Sequence, residues 1–380
     1  MKILFVGDYS NFHVTLSDEL RRRGHAVTLA SEGSGIMATR RDVDLTRPSG
    51  LLGSFRYLAK VFDFISHAKG YDVVQIINPN FLSLRTGKLR YFFSELKRNN
   101  ASVFLSVAGS DPVIVKGCCE DDRLDYSEYR IKGEPTPYAR KYSYDERRWM
   151  AGNMGDHCRF IYENVDGAMA ALYEYYRLAR PYMGEKLVYT GIPVDTRLHT
   201  PEGLTPEHSY EGRDFTGRKI NIFVGVKERY EMFKGLDRLY DAAIKVERRH
   251  PDICTVTKVI DLPYEKYIRE LKKADIVVDQ LYSYTPATNA LETMSTGRVT
   301  VSGGEEEYYD FIGEKELRPV VNVTPYSDAG IVDALEAAVC DPERLKTLSR
   351  QGRAFVERHN DVRVVTDKFM EQWKSVLEKR

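Results

Sequence analysis

Apolar and polar positions switch between two periods along this chain. Lys2–Val6 is an apolar-rich run of strand length, Gly7–Asn11 is a polar turn, and Phe12, Leu16 and Leu20 then recur at helical spacing up to Arg23. Gly24-His25 ends that predicted helix, and Ala26–Ala30 reads as a second strand. Strand, glycine turn, helix and parallel strand open a doubly wound α/β domain. The alternation predicts a helix over 52–68, a strand over 72–77, a helix over 84–99 and a strand over 102–107.

Residues 112–150 break the rhythm and predict a long insertion. They carry Cys118-Cys119, the acidic run Glu120-Asp121-Asp122, Pro135 and Pro137. Tyrosines crowd the stretch that begins at Tyr126 and ends at Tyr189. The insertion is expected either to pack its own aromatics or to face a substrate, since tyrosine offers a ring face and a hydroxyl together. Alternation returns with a helix over 156–164 and strands over 167–171 and 186–190, then Gly191-Ile192-Pro193. A second α/β series follows. Strands are predicted over 219–225, 255–261, 276–280, 299–302 and 318–323, with helices over 236–249, 264–273, 287–296 and 329–339 and an amphipathic tail over 362–378. The expected domains are 1–195, carrying the insertion at about 112–150, and 196–380.

Composition narrows the classes. The 380 residues are 42% hydrophobic and 29% charged, a globular balance, and 56 basic side chains offset 56 acidic ones. No basic arm marks a nucleic-acid binder, and no apolar run reaches the length of a membrane span. The start of the chain runs straight into a glycine turn, so no secretion signal is expected. Five cysteines without a CxxC spacing read as reduced thiols and point to a cytoplasmic protein. Residues 1–110 hold 15 Lys+Arg against 9 Asp+Glu, a basic stretch that would suit an anionic membrane or a lipid-diphosphate carrier.

Candidate chemistry sits mainly in the second half. After the predicted strand ending at Gly225 come Lys227, Arg229 and Lys234, then Gly235 and a helix start. Cations beside free helix-start N–H groups form a phosphate cradle. A second cluster runs from Asp275 through Asp279 to Glu292 and Gly297, ending in Gly303-Gly304. A carboxylate near a strand end can accept hydrogen bonds from ribose hydroxyls, and paired glycines let backbone approach a ligand. Asp42-Val43-Asp44 matches a DxD metal motif but stands in a polar stretch among arginines, and Gly33-Ser34-Gly35 lacks a third glycine at Ala38.

Together these segments resemble the nucleotide-sugar-binding half of GT-B fold glycosyltransferases, most closely the retaining family 4 group of bacterial surface-polysaccharide type. The resemblance rests on Gly225, Arg229 and Lys234-Gly235, and on Glu292-Thr293-Met294-Ser295-Thr296-Gly297. It extends more loosely to Gly7, Gly109-Ser110-Asp111 and Gly191-Ile192-Pro193. It implies two Rossmann-like domains facing across a cleft, with the last helix crossing back to the first. It further implies sugar transfer from a nucleotide-sugar donor, with retention, to a glycan or lipid-linked glycan acceptor, without metal or other cofactor. Arg229 and Lys234 would stabilise the departing diphosphate. Glu292 would hold the ribose, backbone near 260–263 would meet the base, and Gly7, Gly225, Lys227, Gly303 and Gly304 would complete the nucleotide-sugar site. The place implied is the cytoplasm or the inner face of the membrane.

Two positions depart from that pattern. Tyr284 stands where the family's first carboxylate is expected, and the sugar contact which that carboxylate makes would pass to Tyr284 or to nearby backbone. No histidine occupies 106–110, which leaves His13 and Asp111 as candidates to face the acceptor. A nucleotide-sugar epimerase or hydrolase on the same fold, and a non-catalytic sugar-binding relative, are the competing readings.

Overall fold

The computed structural model describes residues 1–33, 40–202, 204–205 and 210–379, the side chains of 143–146 and 264 excepted. Its strands, in chain order, are β1 (Lys2–Val6), β2 (Ala26–Ser31), β3 (Val43–Asp44), β4 (Val73–Ile76), β5 (Val103–Val107), β6 (Arg130–Ile131), β7 (Glu134–Pro135), β8 (Gly167–Ala170), β9 (Leu187–Tyr189), β10 (Ile220–Val226), β11 (Cys254–Ile260), β12 (Ile276–Val278), β13 (Val299–Ser302) and β14 (Val320–Asn322). One sheet has the order β3-β2-β1-β4-β5-β8-β9, a second β11-β10-β12-β13-β14, and β6 pairs with β7. Both larger sheets are parallel, and β6 pairs antiparallel with β7. The expected α/β class with two doubly wound sheets is therefore the one adopted. Strand order reverses beside β1 in the first sheet and beside β10 in the second, so each has a switch point at its carboxyl edge, the place where open α/β sheets in general take ligands.

Contacts divide the chain into two units. The first comprises Met1–Gly117, Tyr144–Pro193 and Val362–Arg380; the second comprises Cys118–Ser143 and Val194–Asp361. Residues 118–143, the middle of the expected insertion, thus group with the second sheet, although they precede it by more than fifty residues.

In the first unit, β1 and β4 are covered by the C-terminal helix Val362–Leu377, which buries Val362, Val365, Phe369 and Trp373 at spacings of three and four. A one-way chain of hydrogen bonds starts there. Trp373 Nε1–H donates to Gln75 Oε1 at 3.0 Å, and Gln75 Nε2 donates to Ser106 Oγ at 3.0 Å. In the second unit the helix Leu236–Arg249 lays Leu236, Leu239, Ala243 and Val246 on the β10 side of the sheet.

Three differences from the sequence pattern stand out. Residues 112–150, expected to lack periodic structure, contain helices Pro112–Glu120, Pro137–Lys141 and Ser143–Met150. The helices Tyr173–Met183 and Pro342–His359 were not predicted. The second of these carries a plain start signal: Asp341 caps the N–H of Arg344 and Pro342 occupies the first turn. No described helix is long and apolar enough to cross a membrane.

Candidate nucleotide-sugar site

The second unit collects its candidates where β10 and β12 end. Lys227 follows β10, with its Nζ 3.7 Å from Asp261 Oδ1 and 3.5 Å from the Leu262 carbonyl. Arg229 lies exposed in the single turn Glu228–Tyr230, its guanidinium 4.5 Å from the centre of the Tyr230 ring. Lys234 ends the short helix Glu231–Lys234, and Gly235 then turns the chain at φ 67°. A side chain there would also press on Leu281 at 2.8 Å.

Lys234 has a partner that its local sequence does not announce. Its Nζ lies 3.1 Å from Oδ1 of Asp279, directly after β12, whose side chain is 1% exposed. Asn289 Nδ2 donates to the same oxygen at 3.2 Å, and Tyr267 O–H donates to Asn289 Oδ1 at 3.1 Å. The other carboxylate oxygen, Oδ2, is buried and has no hydrogen-bond partner. A buried carboxylate with one oxygen engaged holds the lysine ammonium in place and leaves its far side open. Asp279 is the residue here that a reading by local spacing underrates.

Glu292 lies in helix Thr288–Ser295, with a third of its side chain open to solvent and Oε1 3.7 Å from His199 Nε2. Desolvation pushes its carboxyl up to about 7. The glycine candidates have packing roles of their own. A Cβ on Gly303 would fall 1.6 Å from the Ser283 carbonyl, so this glycine admits the 283 loop of its own chain. Gly304 donates its N–H to Asn322 Oδ1 at 2.9 Å, and a Cβ on Gly225 would meet the Tyr267 ring at 2.4 Å. At these three positions the space that a side chain would take is filled by protein.

Tyr284 is likewise committed within the fold. It is buried, stacked on Tyr126 with ring centroids 4.5 Å apart, and its hydroxyl accepts the Tyr126 N–H at 3.1 Å. Tyr126 O–H lies 3.1 Å from the Ser283 carbonyl and 2.9 Å from Glu305 Oε1, acceptors on either side of it. Tyr129 and Tyr138 pack edge-on against Phe233, beside Lys234. The insertion tyrosines that face this unit therefore seat residues 118–143 on the loops that carry the candidates. Tyr284 thus anchors this segment, its ring stacked on Tyr126 and its hydroxyl engaged by the Tyr126 N–H. Tyr284→Phe should lower stability by about 1 kcal/mol, read as a small drop in melting temperature. A tenfold fall in turnover at unchanged melting would instead return Tyr284 to the substrate.

The first-unit candidates are drawn inward. Gly7 turns the chain after β1 at φ 81°, and a Cβ there would strike Ile77 Cγ2 at 2.4 Å. His13 is fully buried against Phe5. Its Nδ1–H donates to the Gly7 carbonyl at 2.7 Å, and its Nε2 accepts from Ser106 Oγ at 3.0 Å. Desolvation pulls the ring down to about 3, so it is neutral. His13 does not face an acceptor; it ends the donor chain that begins at Trp373 and fixes the Gly7 peptide. Asp111 is also fully buried, accepting from the N–H groups of Val113 and Ile114 at 2.8 and 2.9 Å and from Tyr162 O–H at 2.7 Å. It caps helix Pro112–Glu120, and burial raises its carboxyl. Asp8 was missed. Its Oδ1 accepts from the N–H of His13 at 2.8 Å, while Oδ2 is buried without a partner. Next to it Ser10 and Asn11 hold φ of 50° and 62°, strained backbone on the edge where a ligand is expected.

Asp42 accepts from Arg21 and from the N–H of Leu29, and Asp44 pairs with Arg41 at 2.7 Å, so neither carboxylate of the DxD match is set aside for a metal. In the dinucleotide-like stretch only Gly33 lies within the described residues. Among the described residues no group of three or more His, Cys, Asp or Glu side chains could hold a metal ion.

No family model matches the sequence, and no curated protein matches it. Solved structures do match. Sucrose-phosphate synthase from Thermosynechococcus elongatus aligns over 100% of both chains at a TM-score of 0.64 and 14% identity. HepE from Anabaena, crystallised with UDP and glucose, aligns over 99% of this chain and 100% of its own at 0.60 and 14%. The catalytic domain of starch synthase IV from Arabidopsis thaliana, bound to ADP and acarbose, aligns over 100% and 99% at 0.56 and 9%. These are enzymes of GT-B fold, and at such identities the likeness establishes that fold for this chain.

Proposed function

We propose that this GT-B protein transfers a sugar from a nucleotide-sugar donor to an acceptor hydroxyl, with retention, in the synthesis of a surface glycan or glycolipid. The observation that carries the reading is the β10 exit. There Lys227, Arg229 and Lys234 leave one strand at the switch point of the second sheet, and buried Asp279 holds Lys234 from the next. Cations so placed serve a departing diphosphate, whose charge develops as the sugar–oxygen bond breaks. Glu292, on the helix that follows β12, would accept from ribose hydroxyls. UDP and glucose in the HepE structure support a nucleotide-sugar donor of this kind. With His13 and Asp111 turned into the core, the reading rests on leaving-group stabilisation and positioning, without a metal or a strong base. The proposed setting is the cytoplasmic side of a membrane that carries the acceptor.

A second reading, nucleotide-sugar binding without transfer, draws on Tyr284, which stands in a carboxylate's place with its hydroxyl engaged. An epimerase or hydrolase is the third. Incubation with UDP-, GDP- and ADP-sugars, with and without glycan acceptors, separates them by measuring released nucleotide. Nucleotide release that requires acceptor is expected. Release or epimerisation without acceptor, or saturable binding with no turnover, would overturn the transferase reading.

A further inference from the structure

The first unit carries an apolar face that the described residues leave uncovered. Leu51 is 105% exposed, Leu52 62% and Phe55 73%, and Phe62 and Tyr91 continue the exposed face with rings 6.0 Å apart. Leu51 and Leu52 lead into helix Gly53–His67, and Tyr91 lies on the neighbouring helix Thr86–Asn99. The inner faces are well seated: Tyr57, Val61, Phe64 and Ile65 are buried, and Phe62 rests edge-on against buried Phe92 at 4.9 Å. The exposed leucines are held rather than loose. Gly53 N–H donates to the Gly50 carbonyl at 2.9 Å, and a Cβ on Gly53 would fall 2.1 Å from the Pro48 carbonyl. Tyr57 O–H is bonded to Glu32, which also accepts from the Ser83 N–H at 2.9 Å, tying the helix start to the loop after β4.

Charge selects the occupant. Arg56, Arg85 and Lys88 border the face, all exposed, and none of them forms an ion pair among the described residues. Of the acidic groups nearby, Glu95 pairs with Arg98, and Asp63 lies 3.6 Å from His67 on the last turns of helix Gly53–His67, leaving three cations against one exposed carboxylate. Both helices follow strands of a parallel sheet. Their N-terminal ends, with Leu51, Leu52, Phe55, Arg85 and Lys88, therefore lie at its carboxyl edge, the edge of Gly7. Rigid apolar tips ringed by unpaired cations match the boundary of a bilayer with anionic headgroups.

We propose that this face docks the protein on an anionic lipid surface, which would bring a lipid-linked acceptor to the first sheet's carboxyl edge; the link to an acceptor rests on the transferase reading, the docking does not. The test is co-sedimentation with vesicles of phosphatidylcholine alone or mixed with phosphatidylglycerol, beside UDP binding by calorimetry. Binding is expected to the mixed vesicles and to weaken with salt. Leu51→Ser with Phe55→Ser should lower it by at least about tenfold, and Arg85→Gln or Lys88→Gln by about fivefold each, with UDP binding unchanged. Equal affinity for both vesicle types, no binding, or unaltered binding by the variants would overturn it. So would self-association in solution that the Leu51→Ser, Phe55→Ser variant abolishes. Vesicle binding without nucleotide-sugar turnover would instead count against the transferase reading alone.

Discussion

Replacing Lys234 with alanine is expected to lower kcat/KM for sugar transfer by about two to three orders of magnitude, the usual cost of removing one preorganised group that meets developing charge. The loss should fall on kcat as well as KM, because the diphosphate carries more charge as it departs than when bound. Asp279 complicates the experiment usefully. Without the ammonium at 3.1 Å, its carboxylate is left buried and unpaired, which destabilises the fold. The double variant Lys234→Ala, Asp279→Asn removes both charges and should recover melting temperature without recovering activity. Asp279→Asn alone should keep the lysine but loosen it, lowering kcat by about tenfold. Unchanged kinetics in Lys234→Ala would remove the diphosphate assignment.

The second large effect belongs to Glu292. Hydrogen bonds from two hydroxyls to a carboxylate are worth about 1.5–3 kcal/mol, so Glu292→Gln should weaken UDP binding by roughly ten- to a hundredfold. The same carboxyl predicts a pH dependence. Its folded value of about 7 lies above the ordinary 4.5, so the unliganded fold holds this proton more tightly than the unfolded chain does. The stability it contributes is complete below about pH 4.5 and is lost as pH rises through about 7. Nucleotide affinity should run the other way, rising as the carboxylate ionises to accept the ribose. Thermal melting and calorimetry on both sides of that midpoint would read the opposed slopes. In Glu292→Gln both slopes from this residue should vanish, and a slope that persists would assign them to another group.

Element types were legible wherever one period ran long enough. β1, the helix Leu236–Arg249 and the C-terminal helix sit where apolar spacing puts them. Side-chain direction was less so. His13 follows a glycine turn and invited a role in chemistry, yet His13, Leu16, Ser17 and Leu20 keep the spacing of one buried helical face. Asp111-Pro112 is a helix-start pair that could have been read as a cap. Lys227, Arg229 and Lys234 were found because a basic loop after a strand is a local signal. The partners of Lys234 and Tyr284 were not, since Asp279 is 45 positions away and Tyr126 is 158. Local periodicity carries no information at that range.

The seating of residues 118–143 on the second sheet also bears on how the chain comes off the ribosome. Tyr126, Tyr129 and Tyr138 are made long before Phe233, Tyr284 and Tyr326, the rings they pack against. Through that interval the early segment has no site to occupy, and the second sheet, once made, waits on a piece of chain that left the exit tunnel first. Folding from the N-terminal end inward cannot finish one half before the other is present. A fragment beginning at the second α/β series would emerge with Tyr284 and Tyr326 uncovered, an aggregating half rather than a working domain.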